Sequence, residues 1–257
     1  MGYVISVVNQ KGGVGKTTTA VNLAAYLGKS SQKTLLIDAD PQGNATSGFG
    51  IAKKEQNKTT YDVMVNSLPI TKAIIETEYR NLSICPANID LTGAEVELIG
   101  LPEREKILSV ALQEVRDTYD YVIIDCPPSL GQMTVNALTA SDYILIPVQA
   151  EYYALEGLEQ LLETYSRVKN SSNPSLKFLG IVITMFDART QLAHQVEEEV
   201  RSLFPEQVFQ TIIPRNVRLS EAPSHGQPIM VYDKRSRGAK AYKALTKEIM
   251  RKKKVRS

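Results

Sequence analysis

The chain has 257 residues and a mass of 28.4 kDa, with 43% hydrophobic and 23% charged residues. That mixture belongs to a soluble globule with a sizeable core and excludes a disordered, collagen-like or disulfide-stapled chain. Two cysteines, Cys85 and Cys126, are too few for a disulfide framework and fit a reducing cytosol. No apolar run approaches the ~18 residues of a membrane span, and the N-terminus lacks the basic start and cleavage site of a signal peptide. The net charge is +2 but uneven: Lys234–Arg256 holds eleven Lys/Arg and one acid, Glu248, which leaves −8 on the rest. An acidic body with a basic end suits a polyanion on one side, or simply a solvated terminal helix.

In chain order, short apolar runs alternate with segments of helical period. The runs are Tyr3–Val8, Thr34–Ile37, Leu82–Cys85, Tyr121–Ile124, Tyr143–Val148, Phe178–Thr184 and Gln207–Ile212. Their interiors are nearly continuous apolar, as strands buried on both faces of a parallel sheet are. Helices are predicted over Thr17–Gly28 and over Leu155–Val168, where Leu155, Leu158, Leu161, Leu162 and Tyr165 share a face. A last helix is predicted after Gly238, with Tyr242, Leu245 and Ile249 as its docking stripe. The alternation predicts an α/β fold, a doubly wound and mostly parallel β-sheet flanked by helices. The polar connections Lys53–Thr60 and Asn170–Ser175 separate no two cores, so one domain over 1–257 is expected, with a basic C-terminal helix and tail over 238–257.

The strongest local signal is Gln10-Lys11-Gly12-Gly13-Val14-Gly15-Lys16-Thr17-Thr18, set between the first strand and the first helix. The standard phosphate loop has glycine where this chain has Gln10, yet the remainder keeps the physics. Gly12, Gly13 and Gly15 let the backbone bend around phosphate oxygens, and the N–H groups of the loop and helix start face the anion. Lys16 is placed to reach the β- and γ-phosphates and Thr17 to ligate Mg²⁺; Val14 and Thr18 complete the nucleotide-binding stretch. Three acids lie at strand ends, where parallel sheets bind ligands: Asp38 and Asp40 after the second strand, and Asp125 before Cys126-Pro127-Pro128. Asp125 is assigned to the Mg²⁺ shell, with Asp38 supporting it.

The form Lys11-Gly12-Gly13-Val14-Gly15-Lys16-Thr17 resembles the deviant Walker A motif of the ParA/MinD family of dimerising P-loop ATPases. The stretches Asp38–Gly48, Glu151–Gly157, Asp187–Thr190, Thr211–Ser224 and Asp233–Gly238 are similar to Soj-type ParA chromosome-partitioning proteins, nearly from end to end. The resemblance implies ATP as nucleotide, bordered at the adenine by Met185, Pro214 and Asn216. It implies that Lys11 acts in trans across a nucleotide-sandwich homodimer, and that Asp40 orients or deprotonates the attacking water. Lys11, Lys16 and Asp40 are thus the expected catalytic set. Because the chain starts at its first strand, the expected likeness is to the short chromosomal branch.

The same resemblance implies that the ATP-bound dimer binds double-stranded DNA without sequence preference, through phosphate contacts only. Arg189, Arg218, Lys234, Arg235, Arg237 and Lys240 are the candidates, with the tail Arg251–Arg256 as an added electrostatic contact. A ParB- or Spo0J-like partner is expected to stimulate slow hydrolysis and so release the DNA, in a cytoplasmic, nucleoid-associated protein. The alternative is a MinD-like membrane switch in division-site placement. After Met250 only Val255 is apolar, a weak anchor, so no membrane partner is expected. A nitrogenase-reductase-like cluster protein would need Cys85 and Cys126 to ligate iron, and a metabolic ligase would need a small-molecule pocket. His194 and His225 have no metal-ligand neighbours and read as structural or surface residues.

Overall fold

The computed structural model describes residues 2–151 and 154–256. Seven strands form one sheet: β1 (Tyr3–Val7), β2 (Thr34–Asp38), β3 (Ile75–Glu76), β4 (Leu82–Cys85), β5 (Tyr121–Asp125), β6 (Tyr143–Gln149) and β7 (Lys177–Thr184). Their order is β3-β4-β2-β5-β1-β6-β7. All neighbours are parallel except β3, which pairs antiparallel with β4 at the edge.

Each inner strand sends alternate residues to opposite faces, and each face has its own core. Val4, Leu35, Ile37, Val122 and Ile124 pack with helices that include Gln132–Ala140 and Gln191–Leu203. Ile5, Val7, Leu36 and Ile123 pack against the helix Lys16–Lys29 and the C-terminal helix Arg237–Arg256. Burying one such side chain contributes roughly 1.5–3 kcal/mol, so covering both faces fixes the sheet between helical layers. Tyr242, Leu245 and Ile249 are buried as their spacing predicts. Two polar ties add register: the Tyr242 and Thr19 hydroxyls meet at 3.1 Å, and Tyr26 donates to the Ala239 carbonyl at 2.8 Å.

The predicted strand Gln207–Ile212 does not form as a ladder. Among the described residues an isolated bridge, Ile181 with Val208, joins it to β7, and a second, Phe186 with Pro214, follows just past both. The reason is Glu248 on the C-terminal helix, whose carboxylate accepts from the Gln210 and Thr211 amides (2.8 and 3.0 Å) and the Thr211 hydroxyl (2.8 Å). Those amides face the helix, so the segment touches β7 on either side of them only. The two-residue β3 is too short to carry a period in the sequence. Tyr152 and Tyr153 of the Glu151–Gly157 stretch lie outside the described residues, as do the side chains of Leu155 and of residues 253–256 in the basic tail.

Candidate nucleotide-binding site

The loop after β1 leaves the sheet where the strand order reverses, between neighbours β5 and β6. Asn9 is buried and clamps it: its amide donates to the Pro147 carbonyl on β6 (2.7 Å), and its oxygen accepts from the Lys11 amide (3.0 Å). Gly13 (φ 76°) and Gly15 (φ 87°) take left-handed conformations that other residues resist. The Thr184 hydroxyl at the end of β7 donates to the Val14 carbonyl (2.8 Å). Helix Lys16–Lys29 therefore begins directly after Gly15 with no side chain capping it. Its first N–H groups stay open towards an anion.

Lys16 is buried, and its ammonium donates to the Lys11 carbonyl at 3.0 Å. Burial pushes its pKa below the ordinary lysine value, while Asp125, Cys126 and Asp40 pull it back up. The Lys11 ammonium turns to Glu151, 3.3 Å away, and Glu151 also lies 4.0 Å from Arg215.

Asp38 and Asp125 are register partners on β2 and β5, both fully buried. Asp38 is committed to its own loop: it accepts from the Thr46 amide (2.8 Å), the Thr46 hydroxyl (2.7 Å) and the Asp40 amide (3.3 Å). Burial still lifts its pKa to about 6. Asp125 lies under the loop close enough to Thr17 for that hydroxyl to favour its charged form, yet neither carboxylate oxygen makes a hydrogen bond of normal geometry. Burial first, and Asp38 second, drive its pKa well above the carboxylate range. An orphaned buried carboxylate beside a threonine hydroxyl is what a hard cation needs. Among the described residues no three His, Cys, Asp or Glu converge as a metal cage. The donor set thus fits Mg²⁺, which takes one or two protein oxygens and fills its shell with water and phosphate. Asp40 is buried at the same edge and accepts from the Gln42 amide at 2.9 Å.

Met185, Pro214 and Asn216 line one cavity of about 300 Å³, and Gly15 and Thr18 of the phosphate loop line it too. Met185 is held at φ 51°, and the Asn216 oxygen accepts from the Arg218 amide (2.9 Å), capping the short helix Val217–Glu221. The structure thus brings the glycine-rich loop, the three acids and the residues expected at the adenine to one edge of the sheet. The candidate basic residues are all exposed. Arg218 pairs with Glu221 (2.9 Å) and reaches Asp233 (3.7 Å), which joins it to the turn leading to Lys234, Arg235, Arg237 and Lys240. Arg189 instead forms a two-pronged pair with Asp187 (2.9 and 2.6 Å), whose carboxyl it holds well below the usual range.

Sequence reasoning missed the supports. Thr46 bridges Asp38 to the Ala87 amide (2.9 Å), and Asn9, Thr184 and Glu151 fix the loop or its lysine. A run of small polar residues straight after an acid-bearing strand was the available signal for Thr46. Cys85 and Cys126 are buried and free, with thiols pushed up by burial. His194 packs edge-on against Phe186 and His225 stacks on Tyr232, and both are exposed.

A family model described as an AAA domain matches residues 2–178. The chromosome partitioning protein ParA of Myxococcus xanthus is 55% identical over 251 residues, covering 98% of this chain and 89% of that protein. The sporulation initiation inhibitor protein Soj of Bacillus subtilis is also 55% identical, covering 97% of this chain and 98% of its own length. Among solved structures, cobyrinic acid a,c-diamide synthase from Mycobacterium smegmatis with bound ADP and magnesium superimposes with a TM-score of 0.87 at 36% identity, covering 99% and 96% of the two chains. The cell division ATPase MinD of Pyrococcus furiosus gives 0.80 at 26% identity, covering 98% and 99%. No helix among the described residues is long and apolar enough to cross a membrane.

Proposed function

The chain belongs to the ParA/Soj family of chromosome-partitioning ATPases, and from that premise we propose that it is an ATP-dependent dimeric switch that binds DNA and is released by hydrolysis. The observation that supports this most directly is the unpartnered, buried Asp125 beneath an uncapped helix start. A site so arranged is incomplete without a cation and an anion together.

The open amides of residues 12–18 and the Lys16 ammonium bind the phosphates, and Met185, Pro214 and Asn216 take the adenine. Thr17 and Asp125 would hold Mg²⁺, which supplies charge neutralisation at the phosphates. Asp38, with both its oxygens engaged, keeps the Asp40–Thr46 loop in place and leaves Asp125 as the principal cation acid. Asp40 orients the attacking water and accepts its proton. Lys11 exchanges Glu151 for the phosphates of a second subunit, so the dimer lasts while a γ-phosphate is present. The Arg218 and Lys234–Lys240 patch of each subunit contacts DNA phosphates, and two patches in one dimer bind far more tightly than one. A ParB-like partner accelerates hydrolysis and places the protein in a cycle on the nucleoid.

A mobility-shift assay on DNA of arbitrary sequence tests this. Retardation with ATP, and none with ADP or without nucleotide, is expected; equal retardation in all three states overturns the switch. Nucleotide-dependent binding to vesicles but not to DNA would assign the chain to the MinD-like reading.

A further inference from the structure

Of the three lysines in the polar connection Lys53–Thr60, Lys54 and Lys58 stand exposed, while Lys53 is half-buried and turns inward. Its ammonium donates to the Gln42 carbonyl at 2.6 Å. Among the described residues no carboxylate pairs with it, although Glu55 is two positions on. The segment is pinned at both ends to the loop that bears Asp38 and Asp40. The Ile51 amide donates to the Thr46 carbonyl (3.4 Å), and the Thr60 hydroxyl donates to the Asp38 carbonyl (2.7 Å). The Lys53 stem passes over Gly43, which is held at φ 59°. A Cβ on Gly43 would collide with that stem and lie 2.7 Å from the Ala87 carbonyl, so only glycine admits the lysine here.

The carbonyl that Lys53 holds belongs to the peptide joining Gln42 to Gly43. The N–H of that same peptide donates to the Asp40 carbonyl (2.8 Å), and one residue earlier the Gln42 amide donates to Asp40 Oδ1 (2.9 Å). Asp40 therefore sits in a turn that ties both its side chain and its main chain to residues 42 and 43. A charged donor on the carbonyl side of a peptide polarises the N–H on its other side, so the ammonium strengthens the second of these ties as well as fixing the peptide plane. Asp40 Oδ2 makes no hydrogen bond among the described residues. Clamping Oδ1 thus fixes the direction of the oxygen that remains free.

As stability the contact is small, because the lysine chain gives up rotamer freedom and water can serve a carbonyl at the surface. As geometry it is large, since a misplacement of about 1 Å at a reacting group costs about a hundredfold in rate. We propose that Lys53 is a positioning residue for ATP hydrolysis: it locks the Gln42–Gly43 peptide, and through it the Asp40 carboxylate. In the step it serves, the water oxygen bonds to the γ-phosphorus as the bond to the ADP oxygen breaks, and the water's proton passes to Asp40. This rests on the role of Asp40 given above and adds what aims its carboxylate.

K53M keeps the stem over Gly43 and removes the ammonium. Turnover of Mg²⁺-ATP by the full chain, followed over a range of ATP concentrations, should show kcat about tenfold lower with KM unchanged. K53R restores a charged donor and should regain most of the loss, and K53Q, with an uncharged donor, should fall between the two. In a D40N background K53M should cost nothing further, because the group it aims is already gone. Unchanged kcat in both K53M and K53Q overturns the proposal. So does a raised KM with kcat intact, which would make Lys53 a nucleotide-binding residue. A full tenfold loss on top of D40N also overturns it, since Lys53 would then act by another route. Turnover of D40N at the wild-type rate overturns the role of Asp40 itself, and is read without any Lys53 variant.

Discussion

Asp38 and Asp125 sit opposite each other on adjacent parallel strands, equally buried, yet one accepts three hydrogen bonds and the other none. Replacing Asp125 by Asn removes a buried carboxylate whose charged form burial and Asp38 disfavour more than Thr17 and Lys16 support it. Without nucleotide, D125N should be more stable than wild type at neutral pH by roughly 1–3 kcal/mol, and should bind no Mg²⁺-ATP. Thermal unfolding with and without Mg²⁺-ATP checks both halves; a destabilised variant that still shifts with nucleotide contradicts the assignment.

The pair also sets a pH dependence. An acid whose folded value is raised binds its proton more tightly when folded, so its contribution is present at and below pH 4. That contribution is lost as pH rises through the folded value, about 6 for Asp38 and upward-shifted for Asp125. The nucleotide-free protein should therefore lose stability as pH rises from about 4 through these raised values, and D125N, which lacks one of the two acids, should lose less, as denaturant titrations at several pH values will read.

Thr46 holds Asp38 and the Ala87 amide together through one hydroxyl. T46V keeps the shape, strands the Ala87 amide and leaves Asp38 with its two backbone donors alone, at a cost of about 1–3 kcal/mol. Mg²⁺-ATP should still bind, since neither partner belongs to the phosphate loop. Urea unfolding and nucleotide titration separate the two effects.

Three loop and acid variants divide the proposed cycle. K16A should abolish ATP binding. K11A should keep nucleotide and lose the dimer, because its ammonium serves the second subunit. D40A should bind ATP, dimerise and persist on DNA. Light scattering with Mg²⁺-ATP reads the mass, and a D40A protein that stays a single chain contradicts the role of Asp40.

Arg218 spends part of its charge on Glu221 and Asp233. R218A should weaken DNA binding and lower its salt slope by about one counterion, leaving ATP-induced dimerisation intact. E221Q frees the guanidinium and should strengthen binding, as a salt titration of DNA affinity will show.

Much of this was legible in the sequence, for physical reasons. Strands buried on both faces must be apolar throughout, so β1, β5, β6 and β7 announce themselves, and glycines forced to positive φ mark the phosphate loop. The acids at strand ends follow from the same logic. What period cannot show is who solvates whom. Asp38 and Asp125 read alike as strand-terminal acids, and only the position of Thr46, eight residues on from Asp38, separates them. The failed strand at Gln207–Ile212 has the same cause: its competitor, Glu248, lies 37 residues beyond Thr211 in the chain.

Glu248 is the lone acid in a basic terminus, and its grip on Gln210 and Thr211 does more than end a ladder. The segment Gln207–Ile212 covers the outer flank of β7 and its own free amides would let a foreign strand add, but here a helix carboxylate occupies those of Gln210 and Thr211. Shortening the chain before Glu248 would bare that flank while leaving the phosphate loop untouched, so such a truncation should clump into β-rich aggregates before it loses its nucleotide.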